Sequence, residues 1–195
     1  MRPPAVILYL HGFCSSPDSW KARLLAQAFA ERGLGNDFLC PALSPLPAEA
    51  MALAESLLRT APRPVTLVGS SLGGHYATWL AEKHDLRAVL INPAVVSRLD
   101  PARFLGEHAN FHSGERFSFT VAHAAQLAAQ CVEHPDPRRY LLLVETGDEV
   151  LDYRQATEHY AGCHQIVLPG GDHSFTQFPG FITQILEFAG VRAGI

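Results

Sequence analysis

The sequence predicts an α/β fold: a mostly parallel, six-stranded sheet with helices on both faces. Six short runs rich in Val, Ile and Leu alternate with longer stretches of helical periodicity. The run "AVILYL" (5–10) is continuously apolar, as expected of a strand covered on both faces. At 195 residues, 48% of them hydrophobic and 17% charged, the chain suits a single domain, 1–195, with a substantial core.

The first strand is "AVILYL" (5–10). Ser16 as N-cap, Pro17 at the first helical position and Gly33 past the end frame a helix. Its apolar positions Trp20, Leu24, Leu25, Ala28 and Phe29 recur at helical spacing. "DFLCP" (37–41) is the second strand, followed by a helix from about Pro47 to Thr60. The strand "PVTLVG" (64–69), a helix to about Lys83 and the strand "RAVLINP" (87–93) come next. Residues 97–139 break the rhythm, with one helical stretch, "TVAHAAQLAAQCVE" (120–133), and read as a cap inserted over the strand ends. Apolar residues in it, Phe104, Leu105, Phe111, Phe117, Phe119, Val121 and Leu127, are spaced to face inward. They would either bury the cap against the body or line a substrate tunnel. The rhythm resumes with a strand in "YLLLVETGD" (140–148), a helix near 153–161, a strand in "HQIVLPGG" (164–171) and a helix near 178–190.

Composition narrows the function. A formal net charge of −4 with scattered basic residues leaves no footprint for nucleic acid. "AVILYLHGF" is too short to span a bilayer, and the N-terminus lacks the layout of a signal peptide. Cys14, Cys40, Cys131 and Cys163 are spread widely with no CxxC pair, so reduced thiols and a cytoplasmic location are expected. Oligomeric state is not encoded in any motif.

Chemistry concentrates at Gly69-Ser70-Ser71-Leu72-Gly73, a Gly-x-Ser-x-Gly pattern with a strand before it and a helix after. A nucleophile at the tip of such a turn needs small residues two positions either way. Gly69 and Gly73 satisfy this only for Ser71; centring on Ser70 would put Val68 and Leu72 there. The bland reading is a glycine-rich turn that merely lets strand and helix pack. No Lys-Ser/Thr follows the glycines, so this is not a phosphate loop.

Serine needs a base, and the base an acid. Asp148, where the fifth strand ends, and His173, after the sixth, lie where a Ser, acid, His order requires. Glu149, Asp152 and Asp172 are nearby competitors for the acid role. The oxyanion donors fall to the backbone N–H of Leu72, at a helix N-terminus, and of Phe13, in the loop "LHGFCSSP" after the first strand. His108 and His112 share an i, i+4 spacing, but irregular surroundings argue against a metal pair. The mechanism calls for no metal and no organic cofactor, and its partner is a small molecule.

"YLHGFCSSP", "VGSSLGGHYATWL", "INPAV" and "TGDEVLDYRQA" resemble small bacterial α/β-hydrolases of the YqiA-type esterase family over nearly the whole chain. The resemblance implies a compact α/β-hydrolase fold lacking the two N-terminal antiparallel strands. It also implies an esterase or thioesterase, with acyl-CoA thioesters as a plausible class, and Ser71, Asp148 and His173 as the triad. Cys14 and His75 depart from the family pattern and are expected to bear on substrate preference. Two rivals stay open: a non-catalytic binding module on the same fold, and a serine amidase, peptidase or acyltransferase.

Overall fold

The computed structural model describes residues 6–191; Ala5, the first residue of the predicted opening strand, lies outside them. Six strands form one sheet in the order β2-β1-β3-β4-β7-β8: β2 (Phe38–Leu39), β1 (Val6–Leu10), β3 (Val65–Ser70), β4 (Arg87–Ile91), β7 (Tyr140–Glu145) and β8 (His164–Leu168). All five pairings are parallel. The remaining strands, β5 (Gly106–Ala109) and β6 (Arg116–Phe119), make a separate antiparallel hairpin.

Alternate residues of each central strand feed two cores. Leu8, Leu10, Leu67, Leu90 and Leu142 pack with α2 (Pro47–Thr60), α3 (Leu72–His84), α4 (Val121–Ala129) and α5 (Tyr153–His159) through residues such as Met51, Leu80, Leu127 and Tyr160. Ile7, Tyr9, Val68, Val89 and Leu143 face the other way, onto α1 (Trp20–Ala30) and α6 (Ile182–Phe188) through Leu25, Phe29, Ile185 and Leu186. Because both faces are covered, period-two polarity is absent from the sequence, and the strands read as plain apolar runs.

The direction of strand order reverses between β1 and β3. In open parallel sheets the crevice above such a point, at the carboxyl ends of the strands, is where ligands bind. The loops after β1, β3, β7 and β8 all emerge on that edge.

Two elements differ from the sequence expectation. The first helix starts at Trp20, not Pro17. Ser16 closes a turn instead: its carbonyl accepts from Ser19 N–H at 3.1 Å and its hydroxyl from Asp18 N–H at 3.0 Å. The first helical bond runs from Arg23 N–H to the Ser19 carbonyl. The predicted cap segment also holds the β5–β6 hairpin, which no strand expectation covered. The hairpin is docked on the loop after β1: Phe111 N–H donates to the Cys14 carbonyl and Asn110 Nδ2 to the Ser15 carbonyl, both at 2.8 Å.

The seven apolar residues expected to face inward divide. Phe119 and Leu127 are core, and Phe104 and Phe117 pack against it. Phe111, Val121 and Leu105 face solvent, Phe111 at 80% exposure. Leu105 lies just before β5, Phe111 in the turn between β5 and β6, and Val121 at the start of α4, all outside the segments that pack inward.

Candidate active site

Ser71 stands at the end of β3 with φ 56° and ψ −123°, a strained conformation for a non-glycine residue. Its N–H donates to the Ile91 carbonyl at 3.1 Å, and its carbonyl accepts from Gly74 N–H at 2.9 Å and Ala94 N–H at 3.0 Å. These three bonds hold the corner. The flanking glycines are there for space: a Cβ on Gly69 would run into the Gly73 carbonyl, and one on Gly73 into the Leu10 carbonyl. Ser70, still within β3 and buried, places its hydroxyl against that of Tyr9.

The other residues expected at the site meet Ser71. His173 Nε2 lies 3.0 Å from Ser71 Oγ. His173 Nδ1 lies 2.8 and 3.0 Å from the two carboxylate oxygens of Asp148. The Asp148 side chain is 1% exposed, and its Oδ1 also accepts from Val150 N–H at 2.9 Å and Leu151 N–H at 2.8 Å. Those donors fix the carboxylate before the imidazole is considered. The competing acids have other work: Glu149 accepts the backbone N–H of His173 at 3.0 Å, Asp172 accepts Ser174 N–H, and Asp152 caps α5 while pairing with Arg154.

The loop after β1 comes close to Ser71. A Cβ on Gly12 would sit 3.2 Å from Ser71 Cβ, tighter than ordinary contact, so glycine eases the close approach of this loop. His11 is buried and pins the loop: its Nε2 accepts Leu43 N–H at 3.0 Å, which leaves Nδ1–H to donate to the Gly12 carbonyl at 3.0 Å. Burial holds its pKa below the ordinary histidine value, keeping that neutral tautomer. The Phe13 ring packs edge-on against Phe104, Phe117 and Phe119 at 5.4–5.6 Å. Leu72 opens α3.

A cleft of about 790 Å³ lies beside Gly12, Phe13 and Leu72, between the β1 loop, the loop after β2 and the hairpin. Its apolar lining includes Leu43, Leu53, Tyr76 and Phe117. Among the described residues Asp18, Glu49 and Glu115 are its charged lining, with no Lys or Arg. Cys14 lines it, with a thiol pushed up by burial and therefore a poor nucleophile. His75 does not line the cleft. It is buried under α4, its Nε2 3.1 Å from the Leu127 carbonyl. Its position one turn into α3 points it at the neighbouring helix rather than at the strand ends. His108 Nε2 is occupied by the Phe104 carbonyl at 2.8 Å.

Three supporting residues escaped the sequence reading. Glu145, fully buried at the end of β7, accepts N–H groups from the loop that carries His173. Asn92, with φ 40°, donates to the Asp172 and His173 carbonyls at 3.0 and 3.3 Å and accepts Glu145 N–H at 3.0 Å. Lys21 of α1 donates to the Ser174 carbonyl at 2.7 Å. Burial pushes its ammonium down to about 8, against the pull of Asp172, Glu145 and Asp148. A glutamate closing the otherwise apolar "YLLLVE" was the available signal.

Among the described residues no helix is long and apolar enough to cross a membrane. A family model described as the uncharacterised protein family UPF0227 matches residues 6–190. Among solved structures, Est1E from Butyrivibrio proteoclasticus is similar at TM-score 0.70 and 15% identity, over 96% of this chain and 88% of its own. The esterase domain of a Rhodothermus marinus protein is similar at TM-score 0.69 and 20% identity, over 97% and 88%. Mouse alpha/beta hydrolase domain-containing protein 10 is similar at 0.64 and 17%, over 93% and 89%. At such identities the likeness shows the fold, that of the α/β-hydrolases.

Proposed function

The chain belongs to the UPF0227 family, the YqiA-like group, and on that premise we propose that it hydrolyses carboxylic esters or thioesters through an acyl-enzyme on Ser71. One observation carries the reading: a serine oxygen on a strained strand-to-helix corner lies 3.0 Å from an imidazole nitrogen whose other nitrogen is held by a buried carboxylate.

The chemistry follows from those roles. His173 Nε2 takes the Ser71 proton as Oγ attacks the carbonyl carbon. Asp148 accepts from Nδ1–H, so the imidazole has its lone pair on Nε2 and its positive charge is stabilised once protonated. The oxyanion of the tetrahedral intermediate is received by the N–H groups of Leu72 and Phe13. His173 then protonates the departing alcohol or thiol, and water attacks the acyl-Ser71 by the same route in reverse. Each step uses groups this chain supplies, with a bond broken for each bond formed.

The cleft bears on the substrate. Its apolar lining suits an acyl or aryl group, and its charged side chains, among the described residues, are carboxylates. An acyl-CoA thioester would therefore have to place its acyl chain there and its phosphates elsewhere. Matched p-nitrophenyl ester, thioester and anilide substrates test the reading. Ester and thioester turnover that far exceeds anilide turnover is expected. Faster anilide cleavage would favour an amidase, and no turnover of any would favour a binding module.

A further inference from the structure

We propose that Glu145, buried beneath the loop that follows β8, is the positioning residue that sets the reach of His173 to Ser71. This rests on the serine hydrolase reading above.

The loop 171–177 has no regular secondary structure, yet it must hold an imidazole within 3.0 Å of a hydroxyl. Glu145 supplies the fixed point. Its Oε2 accepts Asp172 N–H at 2.9 Å and Thr176 N–H at 3.2 Å, and its Oε1 accepts Gln177 N–H at 3.0 Å. The three donors bracket His173, one residue before it and three and four after. The side chain is 0% exposed in a strand whose other residues are apolar or aromatic. A carboxyl group is a costly choice there unless its oxygens are hydrogen-bonded, and both of them are. Gly171 completes the fit: at φ +74°, any Cβ it carried would run into the Glu145 carboxylate. Asn92 and Lys21 hold the opposite side, through the carbonyls of Asp172, His173 and Ser174.

The loop is thus held by its N–H groups on one side and its carbonyls on the other. Among the described residues, Glu145 is the side chain that bonds to both flanks of the base. Glutamine is nearly the same shape, but its amide nitrogen would face N–H groups and must lose at least one of the three bonds. The loop would then relax by a fraction of an ångström, enough to lengthen the His173–Ser71 contact. Misplacement of this order costs a catalytic step up to about a hundredfold.

The test is Glu145→Gln, measured as kcat and KM on a p-nitrophenyl ester, with reactive serines counted by fluorophosphonate titration. The expected result is kcat per titrated serine reduced by about 10- to 100-fold, with KM within about threefold of wild type. A residue needed only for folding gives a different pattern: fewer titrated sites, each turning over at the wild-type kcat. That pattern, or unchanged kcat per site, would overturn the proposal. If Glu145→Gln does not fold, Gly171→Ala displaces the same carboxylate from the loop side and is read the same way. A wild-type protein that neither labels nor turns over would instead overturn the hydrolase reading itself.

Discussion

His75 makes the fold acid-sensitive, and the size of the effect can be worked out. The ring is buried between α3 and α4, and burial lowers its pKa from 6.5 to about 4, with the Leu127 carbonyl pulling the other way and His159 adding slightly. Above pH 7 the ring is neutral in both folded and unfolded chains, and the shift contributes nothing. As pH falls, the unfolded chain takes up a proton near 6.5 while the folded one resists until about 4. Stability therefore falls between those limits by up to roughly 3 kcal/mol. That is a large part of the 5–15 kcal/mol typical of a domain. His75→Phe removes the titration and also the bond to Leu127, which costs about 1–2 kcal/mol at pH 7.5. The variant should start less stable and lose less on acidification, so the two stability curves cross between about pH 5 and 6. Urea unfolding from pH 4.5 to 8 measures this. His11 and His159 are also lowered by burial, so both proteins keep an acid slope; the difference between the curves isolates His75. Parallel curves across that range would refute the reasoning.

Asp148→Asn should leave the fold intact and cut kcat by roughly 10³–10⁴-fold, because an amide cannot hold the imidazole in the required tautomer; an equally mild loss on Glu149→Gln and Asp148→Asn would remove the assignment. Phe117→Ala opens the cleft and should change kcat/KM between short and long acyl esters by about tenfold, at about 0.8 kcal/mol per methylene contact. Phe119→Ala, fully within the core, should instead destabilise by about 3–5 kcal/mol and lower all chain lengths together. Equal selectivity changes in the two would undo the distinction between lining and core.

The central strands were legible because burial on both faces writes itself as apolar runs, and the start of α2 because Pro47 opens it. The corner at Ser71 rather than Ser70 was legible because space decides it: the two glycines flank one serine only. The hairpin was not. Its four-residue strands are largely exposed, and their Gly, His and Arg content resembles loop. Pro17 and Ser16 carry the signals of a helix start, yet the same residues satisfy a turn, and local bonds chose the turn. Glu145 was overlooked for a different reason. A glutamate at a strand end reads as solvent-facing until the loop that needs its oxygens is folded over it.

The most direct measurement of the central claim is where a fluorophosphonate probe attaches. Wild type treated with the probe should lose ester hydrolysis in step with the formation of one adduct per chain, mapped by peptide mass spectrometry to Ser71. Ser70→Ala should label and turn over nearly as wild type, while Ser71→Ala should do neither. An adduct on Ser70 or Cys14, or full hydrolysis by Ser71→Ala, would contradict the account.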